Sequence, residues 1–235
     1  RHANCAHDFF ATRFRERKVM THSRIPVWLL TGFLGAGKTS LLLNWLQEPA
    51  LSNAAVVINE MGEVGLDHHL VRSVVDSASV LSGQCVCCSG LEGLEQTLAD
   101  LWWDRLYRKR PSFDAVVIET TGLAHPDPIQ QSFRKHPILR ERYHLQATVT
   151  AFSVHQGLQV LEKFQEAKAQ IAAADIAILT KADLGDPSVL MLAAKRINAT
   201  AQWLTSENAS VRWNDLLAAH ARAQVQTENH SSSHS

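Results

Sequence analysis

Several features that mark other protein classes are missing from this chain of 235 residues. Its charges balance, with 23 basic and 23 acidic side chains, so no excess of one sign favours nucleic acid or an anionic membrane surface. No apolar run approaches the roughly 20 residues that a membrane-spanning helix needs. The sequence therefore predicts a protein that has neither nucleic acid nor a membrane as its partner.

Cysteine is scarce as well, since the whole chain has four. A disulfide framework spreads its cysteines along the sequence, whereas three of these four lie in the run Cys85-Val86-Cys87-Cys88. We treat Cys5 as incidental. Clustered thiols in a chain without a secretory signal favour thiolate chemistry with a metal ion over disulfide bonds. The composition thus indicates a cytoplasmic protein with a candidate metal-binding cluster.

The two ends of the chain carry little sign of folded structure. The N-terminal segment is rich in arginine and lacks the apolar core of a secretory signal. We interpret Met20 as the biological start and expect residues 1–24 to form a disordered, non-native leader. Residues 225–235 are rich in serine and histidine and are expected to form a disordered tail. The folded domain is predicted to span residues 25–224.

The most specific motif is the run from Gly32 to Thr39, with the sequence GFLGAGKT. It matches G-x-x-x-x-G-K-[ST], a loop whose backbone N–H groups wrap the phosphates of a nucleotide. A buried strand is predicted before it, at 27–31, and a helix after it, at 40–46, which is the context that the motif requires. Lys38 is predicted to reach the terminal phosphates, and Thr39 to hold Mg²⁺. The predicted phosphate-binding residues are Gly32, Gly35, Ala36, Gly37, Lys38, Thr39 and Ser40.

Apolar segments rich in β-formers alternate with helical patterns along the rest of the chain. This alternation is typical of a doubly wound α/β fold, with a mostly parallel sheet and helices on both faces. Further strands are predicted at 54–59, 79–81, 114–119, 147–152, 175–180 and 201–204. Further helices are predicted at 91–107, 162–173, 187–197 and 211–223. Together with the phosphate-binding loop, the pattern predicts a P-loop NTPase.

Two more candidate residues follow the predicted strand at 114–119. In an open parallel sheet, ligands bind beyond the carboxyl ends of the strands. Glu119 is placed there to hold Mg²⁺ or to orient the attacking water, and the Gly122 N–H is placed to sense the γ-phosphate. We therefore predict Lys38, Glu119 and Gly122 as catalytic residues, and Thr39 and Glu119 as Mg²⁺ ligands.

The run Thr180-Lys181-Ala182-Asp183 follows another hydrophobic strand and indicates which base is bound. A carboxylate at Asp183 accepts hydrogen bonds from guanine N1–H and the exocyclic amine, a donor pair that adenine lacks. The stem of Lys181 packs over the plane of the base. Thr180, Lys181 and Asp183 therefore complete the predicted nucleotide-binding set and favour GTP.

The cysteine run is the second specific signal. Thiolates bind soft or borderline ions such as Zn²⁺. Cys85, Cys87 and Cys88 leave a fourth ligand position open, which suits an ion that is handed on. A closed structural site would need one more ligand, for which the candidates in the preceding loop are Glu60, Glu63, His68 and His69.

Taken together, these motifs resemble the CobW-type GTPases. The resemblance covers about residues 25–217 and rests on the P-loop, the cysteine run, the TKAD run and the segments NEMGEVGLD (59–67) and ETTGLA (119–124). It implies a GTPase that uses GTP/GDP and Mg²⁺. It also implies that Cys85, Cys87 and Cys88 bind zinc, or in some members cobalt, for delivery to client metalloproteins.

Three features depart from the usual pattern of that family. Gln84 stands where a glycine usually precedes the first cysteine, and Thr180 stands where the base motif usually starts with asparagine. The smaller C-terminal α/β domain of the family is not expected here, because the chain ends in the histidine- and serine-containing tail. Client recognition therefore has the least support in the sequence, and a homodimer stays an alternative.

Two other functions stay open at this point. A small-molecule kinase or ATPase would use the same P-loop but would need an arginine-rich lid and an acceptor-binding base, neither of which is evident. A metal-binding scaffold would keep the cysteines and carry a vestigial P-loop. Our hypothesis is that GTP and Mg²⁺ draw the 60–67 loop and the Gly122 turn inward and reshape the cysteine site. Nucleotide state and metal affinity are then coupled.

Overall fold

The computed structural model describes residues 24–60 and 85–232; for Glu60, residues 85–87 and residues 226–232 it describes the backbone. Several predictions fall outside the described residues. These are the leader up to residue 23, the strand at 79–81, and the side chains of Glu63, His68, His69 and Gln84.

The described residues form strands and helices in regular alternation. The strands are β1 (Ile25–Thr31), β2 (Ala54–Glu60), β3 (Cys85–Ser89), β4 (Ala115–Thr120), β5 (Tyr143–Ser153), β6 (Ile176–Thr180) and β7 (Gln202–Thr205). The helices are α1 (Lys38–Leu46), α2 (Gly90–Leu106), α3 (Pro126–Lys135), α4 (Pro137–Arg142), α5 (Gly157–Lys163), α6 (Gln165–Ala172), α7 (Pro187–Ile197) and α8 (Trp213–Ser232). Short 3₁₀ turns lie at Pro49–Leu51 and Ala182–Leu184.

The strands form one sheet in the order β3-β2-β4-β1-β5-β6-β7. Every strand pair is parallel, which confirms the predicted doubly wound α/β fold. Apolar clusters cover both faces, one around Trp45 of α1 and the other around Leu98 of α2. Strands that are buried on both faces read as continuous apolar runs, which is why the sequence reveals them. β1 lies between β4 and β5, so the loop after β1 meets the ends of both neighbours.

An irregularity in β5 determines on which face of the sheet each of its side chains lies. The register with β1 shifts so that Leu145 pairs with Val27 but Ala147 pairs with Trp28, leaving Gln146 as an extra residue. Such a bulge reverses the alternation of side chains along the strand. Ala147 accordingly packs in the cluster around Trp45, whereas Leu145 packs in the cluster around Leu98. The strand predicted at 147–152 begins after this bulge, because the alternating pattern is interrupted there.

Two predictions about helices need correction, and two helices were not predicted. The single helix predicted at 162–173 is two helices, because Phe164 between them is extended and packs its ring 4.6 Å from that of Phe33. The closing helix runs on to Ser232, so most of the tail that we expected to be disordered is helical. The sequence analysis also missed α3 and α4, which begin at Pro126 and Pro137; proline is favoured at the first helical position.

Among the described residues, no helix combines the length and apolar character needed to cross a membrane.

The contact between α8 and the sheet includes a titratable side chain. The ring of His220 packs edge-on against Trp28, at 5.5 Å between centroids, and its Nε2 contacts the side-chain amide of Gln146. Burial lowers the pKa of His220 from its ordinary 6.5, although the charge of Asp175 raises it; His144 lowers it further. Folding therefore favours the neutral ring.

We expect the free energy of unfolding to fall on acidification through this histidine. Its contribution is complete above the unfolded pKa of 6.5, because the folded ring takes up its proton less readily than the unfolded one. It is lost as the pH drops below that value toward the folded pKa. Denaturant unfolding between about pH 7.5 and about pH 5.5 checks this. A His220→Gln variant should lose less stability over that range, and equal losses would contradict the assignment. Burial raises the pKa of Asp175 while the charge of His220 lowers it, so the difference between the two proteins reports the pair of His220 and Asp175 together.

Candidate functional site

Glycine lets the loop between β1 and α1 take a shape that other residues resist. Gly32 has φ 139°, and a Cβ on it would lie 2.1 Å from the backbone oxygen of Ala151. Gly37, at the N-terminus of α1, has φ 83°. Both conformations favour glycine, and the approach to β5 excludes a side chain at Gly32. The loop therefore curls over the end of the sheet and leads its N–H groups to the start of α1, as predicted for a phosphate-binding loop.

Lys38, the first residue of α1, lies within this loop. Its side chain is 9% exposed, and Nζ donates hydrogen bonds to the backbone oxygens of Gly32 at 2.9 Å and Phe33 at 3.4 Å. Phosphate oxygens bound in the loop are stronger partners for an ammonium than these neutral carbonyls. The lysine is thus held within the loop from which the predicted phosphate contact would be made.

The two predicted Mg²⁺ ligands lie in direct contact. The Thr39 hydroxyl donates a 2.7 Å hydrogen bond to Oε1 of Glu119, which is 6% exposed at the end of β4. β1 and β4 pair with Leu30 opposite Glu119, so the sheet delivers the carboxylate beside the P-loop. A hydroxyl and a carboxylate are hard oxygen donors of the kind that Mg²⁺ prefers. The donor set therefore fits the ion.

The turn after β4 packs directly on the P-loop. Residues 121–124 form a closed turn, in which the Ala124 N–H donates to the Thr121 oxygen at 3.1 Å. The Thr121 N–H donates to the backbone oxygen of Asn59 at 2.9 Å, which ties the turn to β2. A Cβ on Gly122 would lie 2.6 Å from the backbone nitrogen of Leu34. Glycine is therefore required for this close approach, and Gly122 lies beside the P-loop.

The residues predicted to read the base surround a separate pocket on the outer side of the P-loop. The Thr180 hydroxyl donates to the Ala36 oxygen at 2.7 Å, and Nζ of Lys181 donates to the Gly35 oxygen at 3.0 Å. Both bonds join the end of β6 to the loop. The pocket has a volume of about 630 Å³ and is lined by Gly37, Ser40, Leu43, Asn44, Gln47, Thr180, Lys181, Asp183, Leu184, Asn208 and Ala209.

The sequence analysis missed one wall of this pocket, which is built from α1 and from the loop after β7. Asn208 and Ala209 are both left-handed, with φ 48° and 57°. The side-chain amide of Asn44 donates to the Ala209 oxygen at 3.0 Å and fixes that loop to α1. Left-handed residues other than glycine are uncommon and collect at ligand-binding clamps. No spacing in the sequence points to this contact, because it joins residues far apart in the chain.

The cysteines lie on β3 at the edge of the sheet, next to β2. Cys88 is half-buried, and its thiol donates to the Ile58 oxygen at 3.7 Å and to Oδ1 of Asn59 at 3.6 Å. Among the described residues, no three histidine, cysteine or acidic side chains are grouped as metal ligands. The side chains of Cys85, Cys87 and Glu60 lie outside that description, so the metal triad stays a prediction.

Asn59 connects the cysteine strand with the Gly122 turn. It is 5% exposed, and its side chain accepts from Cys88 while its backbone oxygen accepts from Thr121. In the sheet it lies opposite Cys88 on one side and Thr120 on the other. The predicted metal strand and the predicted phosphate sensor are therefore joined through a single residue.

Known proteins match most of this chain in sequence and in fold. The chain is 40% identical over 178 residues to the zinc chaperone YjiA of Escherichia coli strain K12, a match that covers 75% of this chain and 56% of YjiA. It is 34% identical over 184 residues to the zinc-regulated GTPase metalloprotein activator 1 of Schizosaccharomyces pombe, covering 74% and 43%. The crystal structure of Zn(II)-bound YjiA GTPase from E. coli superposes with a TM-score of 0.62 at 36% identity, covering 78% of this chain and 57% of that one.

The chain spans about half the length of the curated relatives it matches. The matched part includes the P-loop, the cysteine strand and the base-reading run, since the family model for the CobW/HypB/UreG nucleotide-binding domain covers residues 26–205. With its parallel sheet, its P-loop and its relatives in agreement, this chain belongs to the CobW/HypB/UreG family and carries that family's nucleotide-binding domain.

Proposed function

We propose that this domain is a GTPase that binds zinc through Cys85, Cys87 and Cys88 and delivers it to a client metalloprotein. The observation that carries the proposal is the position of Asn59, which accepts hydrogen bonds from both Cys88 and Thr121. A rearrangement at Cys88 would thereby pass through Asn59 to the turn that carries Gly122, and the reverse. The proposal places the protein in the cytoplasm, where thiols stay reduced.

The P-loop side of the site would bind the triphosphate of GTP. The loop N–H groups and Lys38 would hold the phosphates, and Asp183 would accept hydrogen bonds from guanine. Thr39 and Glu119 would hold Mg²⁺, which neutralises charge on the transferred phosphoryl group when it is bound. Glu119 is nearly buried at the end of β4, and its carboxylate would also orient the attacking water. The Gly122 N–H would meet the γ-phosphate.

The cysteine side of the site would carry the metal as cargo. Relatives of this chain are named as zinc chaperones, and thiolates suit Zn²⁺; cobalt is the alternative ion. Three protein ligands leave a coordination position that a client's own ligands are able to occupy during transfer. Glu60 and Glu63 are the candidates to fill that position before transfer, since Glu60 ends β2 and Glu63 is three positions further along the chain.

Two outcomes of one titration separate this function from its rivals. We expect tight binding of GTP and weak binding of ATP, and each affinity is measured with and without Zn²⁺. In a parallel titration Co²⁺ replaces zinc, and its charge-transfer absorption reports coordination by the thiolates. Hydrolysis of GTP that responds to the metal supports a metal-handling GTPase. Preference for ATP, or phosphate transfer to a small acceptor, would overturn the proposal in favour of a kinase or ATPase.

A pair of variants tests the remaining rival, a metal-binding scaffold without turnover. If turnover matters, Lys38→Ala and Cys87→Ser should both abolish metal delivery to a client in cells. Loss of delivery in Cys87→Ser together with full delivery in Lys38→Ala would show that the scaffold alone is sufficient.

A further inference from the structure

A glutamine on α6 holds the turn that carries Gly122. Gln170 is fully buried, and its side-chain Nε2 donates to the backbone oxygens of Gly122 at 3.0 Å and Ala124 at 2.9 Å. Its own backbone oxygen accepts from the Thr150 hydroxyl at 2.8 Å. Gln170 is therefore anchored to β5 through its backbone and to the turn through its side chain.

The orientation of this amide is set by the turn. Two carbonyl oxygens face it, so the NH₂ group must point toward them. Within the described residues, Oε1 of Gln170 is buried and makes no hydrogen bond. Leaving a buried acceptor unsatisfied is unfavourable. The side-chain amide of Gln170 thus makes its two hydrogen bonds to the turn although its oxygen has no hydrogen-bond donor in the part of the chain that the structure describes.

The turn is held from two sides in a docked position. β2 holds it through the bond from Thr121 to Asn59, and α6 holds it through Gln170. Between these two supports Gly122 packs against the backbone of Leu34 in the P-loop. In this docked position Gly122 lies beside the loop in which the phosphates would bind.

We propose that Gln170 is a positioning residue that keeps the turn docked and thereby sets the preference of the domain for GTP over GDP. The inference rests on the proposed role of Gly122 as sensor of the γ-phosphate. Only GTP has a γ-phosphate that contacts the turn. The affinity for GTP therefore depends on the fraction of molecules in which the turn is docked, whereas the affinity for GDP does not. Without the bonds from Gln170 the turn undocks. Part of the free energy of GTP binding is then used to dock the turn again, which lowers the measured affinity for GTP.

The test compares two glutamine variants. Gln170→Met keeps the length of the side chain and removes both donors. Gln130→Met is the matched control, because Gln130 also donates two hydrogen bonds, to the Thr148 hydroxyl at 2.9 Å and the Ala173 oxygen at 3.2 Å, and neither goes to the turn. We expect Gln170→Met to reduce the ratio of GTP-analogue affinity to GDP affinity about tenfold and to lower kcat. Gln130→Met should keep both at their wild-type values.

Three other outcomes would contradict either the role of Gln170 or the proposed function. A wild-type affinity ratio and kcat in Gln170→Met, with the same loss of thermal stability as in Gln130→Met, would show that Gln170 is only structural. If Gln170→Met does not fold, hydrogen exchange of the wild-type protein decides: amides around Gln170 should change protection together with the turn between GDP and the GTP analogue. A change in the turn alone would contradict the inference. If the wild-type protein neither prefers nor hydrolyses GTP, the proposed function itself is wrong.

Discussion

Lys38→Ala is expected to lower the rate of GTP hydrolysis by about 100-fold or more. The lysine is nearly buried, and its ammonium is confined inside the P-loop by the carbonyls of Gly32 and Phe33. Charge builds up on the phosphate oxygens during transfer, and a fixed positive group in a water-poor site stabilises that charge strongly. Alanine leaves the charge without this partner.

Single-turnover hydrolysis with excess enzyme measures this effect independently of product release. Lys195→Ala, an exposed lysine in the last turn of α7, is the matched control and should hydrolyse GTP at the wild-type rate. Thermal unfolding of both variants checks that the domain stays folded, as expected because alanine is a good helix former at the start of α1. Turnover in Lys38→Ala equal to that of the control would contradict the assigned role.

Asp183→Asn is expected to weaken GTP binding by about 100-fold and to create binding of XTP. In the proposed site the carboxylate would accept hydrogen bonds from guanine N1–H and from the exocyclic amine. Asparagine keeps one acceptor but presents an NH₂ to the other position, where it faces the donor of guanine. Xanthine has a carbonyl oxygen in place of that amine, so it accepts from the new NH₂ while its N1–H still donates.

Competition binding with GTP, XTP and ATP measures the change in base preference caused by Asp183→Asn. The result should be a reversal of preference between GTP and XTP, with ATP weak throughout. Asp183 lines the pocket together with the stem of Lys181, so loss of GTP binding without gain of XTP would place the base elsewhere. Unchanged GTP affinity would exclude Asp183 from the base site.

The position of the candidate nucleotide site in the fold was largely predictable, because its motifs are short runs of neighbouring residues. The P-loop requires glycine at fixed offsets, and its loop is confirmed between β1 and α1. The same holds for the parallel sheet, whose strands are buried on both faces. Glu119 and Thr39 lie 80 positions apart, yet their 2.7 Å contact follows from the rule that strand ends of a parallel sheet share one edge.

The parts that escaped prediction depend on contacts between distant segments. Gln170 lies on a helix with no motif, and only the packing of α6 on β5 brings its amide to the Gly122 turn. Asn44 and Ala209 meet for the same reason. The break at Phe164 is also tertiary in origin, because its ring contacts Phe33 in the P-loop and the local sequence reads as one continuous helix.

The cysteine strand has some features that the sequence predicts and others that depend on contacts between distant segments. Its residue types and spacing indicate thiolate chemistry, and its place beside β2 follows from the order of the sheet. The link through Asn59 could not be read from the sequence, because it depends on Asn59 lying opposite Cys88 and Thr120 at once. That link makes coupling between the metal and the nucleotide a physical expectation.

The affinity of the wild-type domain for Zn²⁺, measured once with GDP and once with a non-hydrolysable GTP analogue, tests this coupling most directly. A competing chelator of known affinity reports free zinc in each titration. We predict different dissociation constants in the two nucleotide states, with the difference abolished in Cys88→Ser. Equal dissociation constants with GDP and with the GTP analogue would contradict the account.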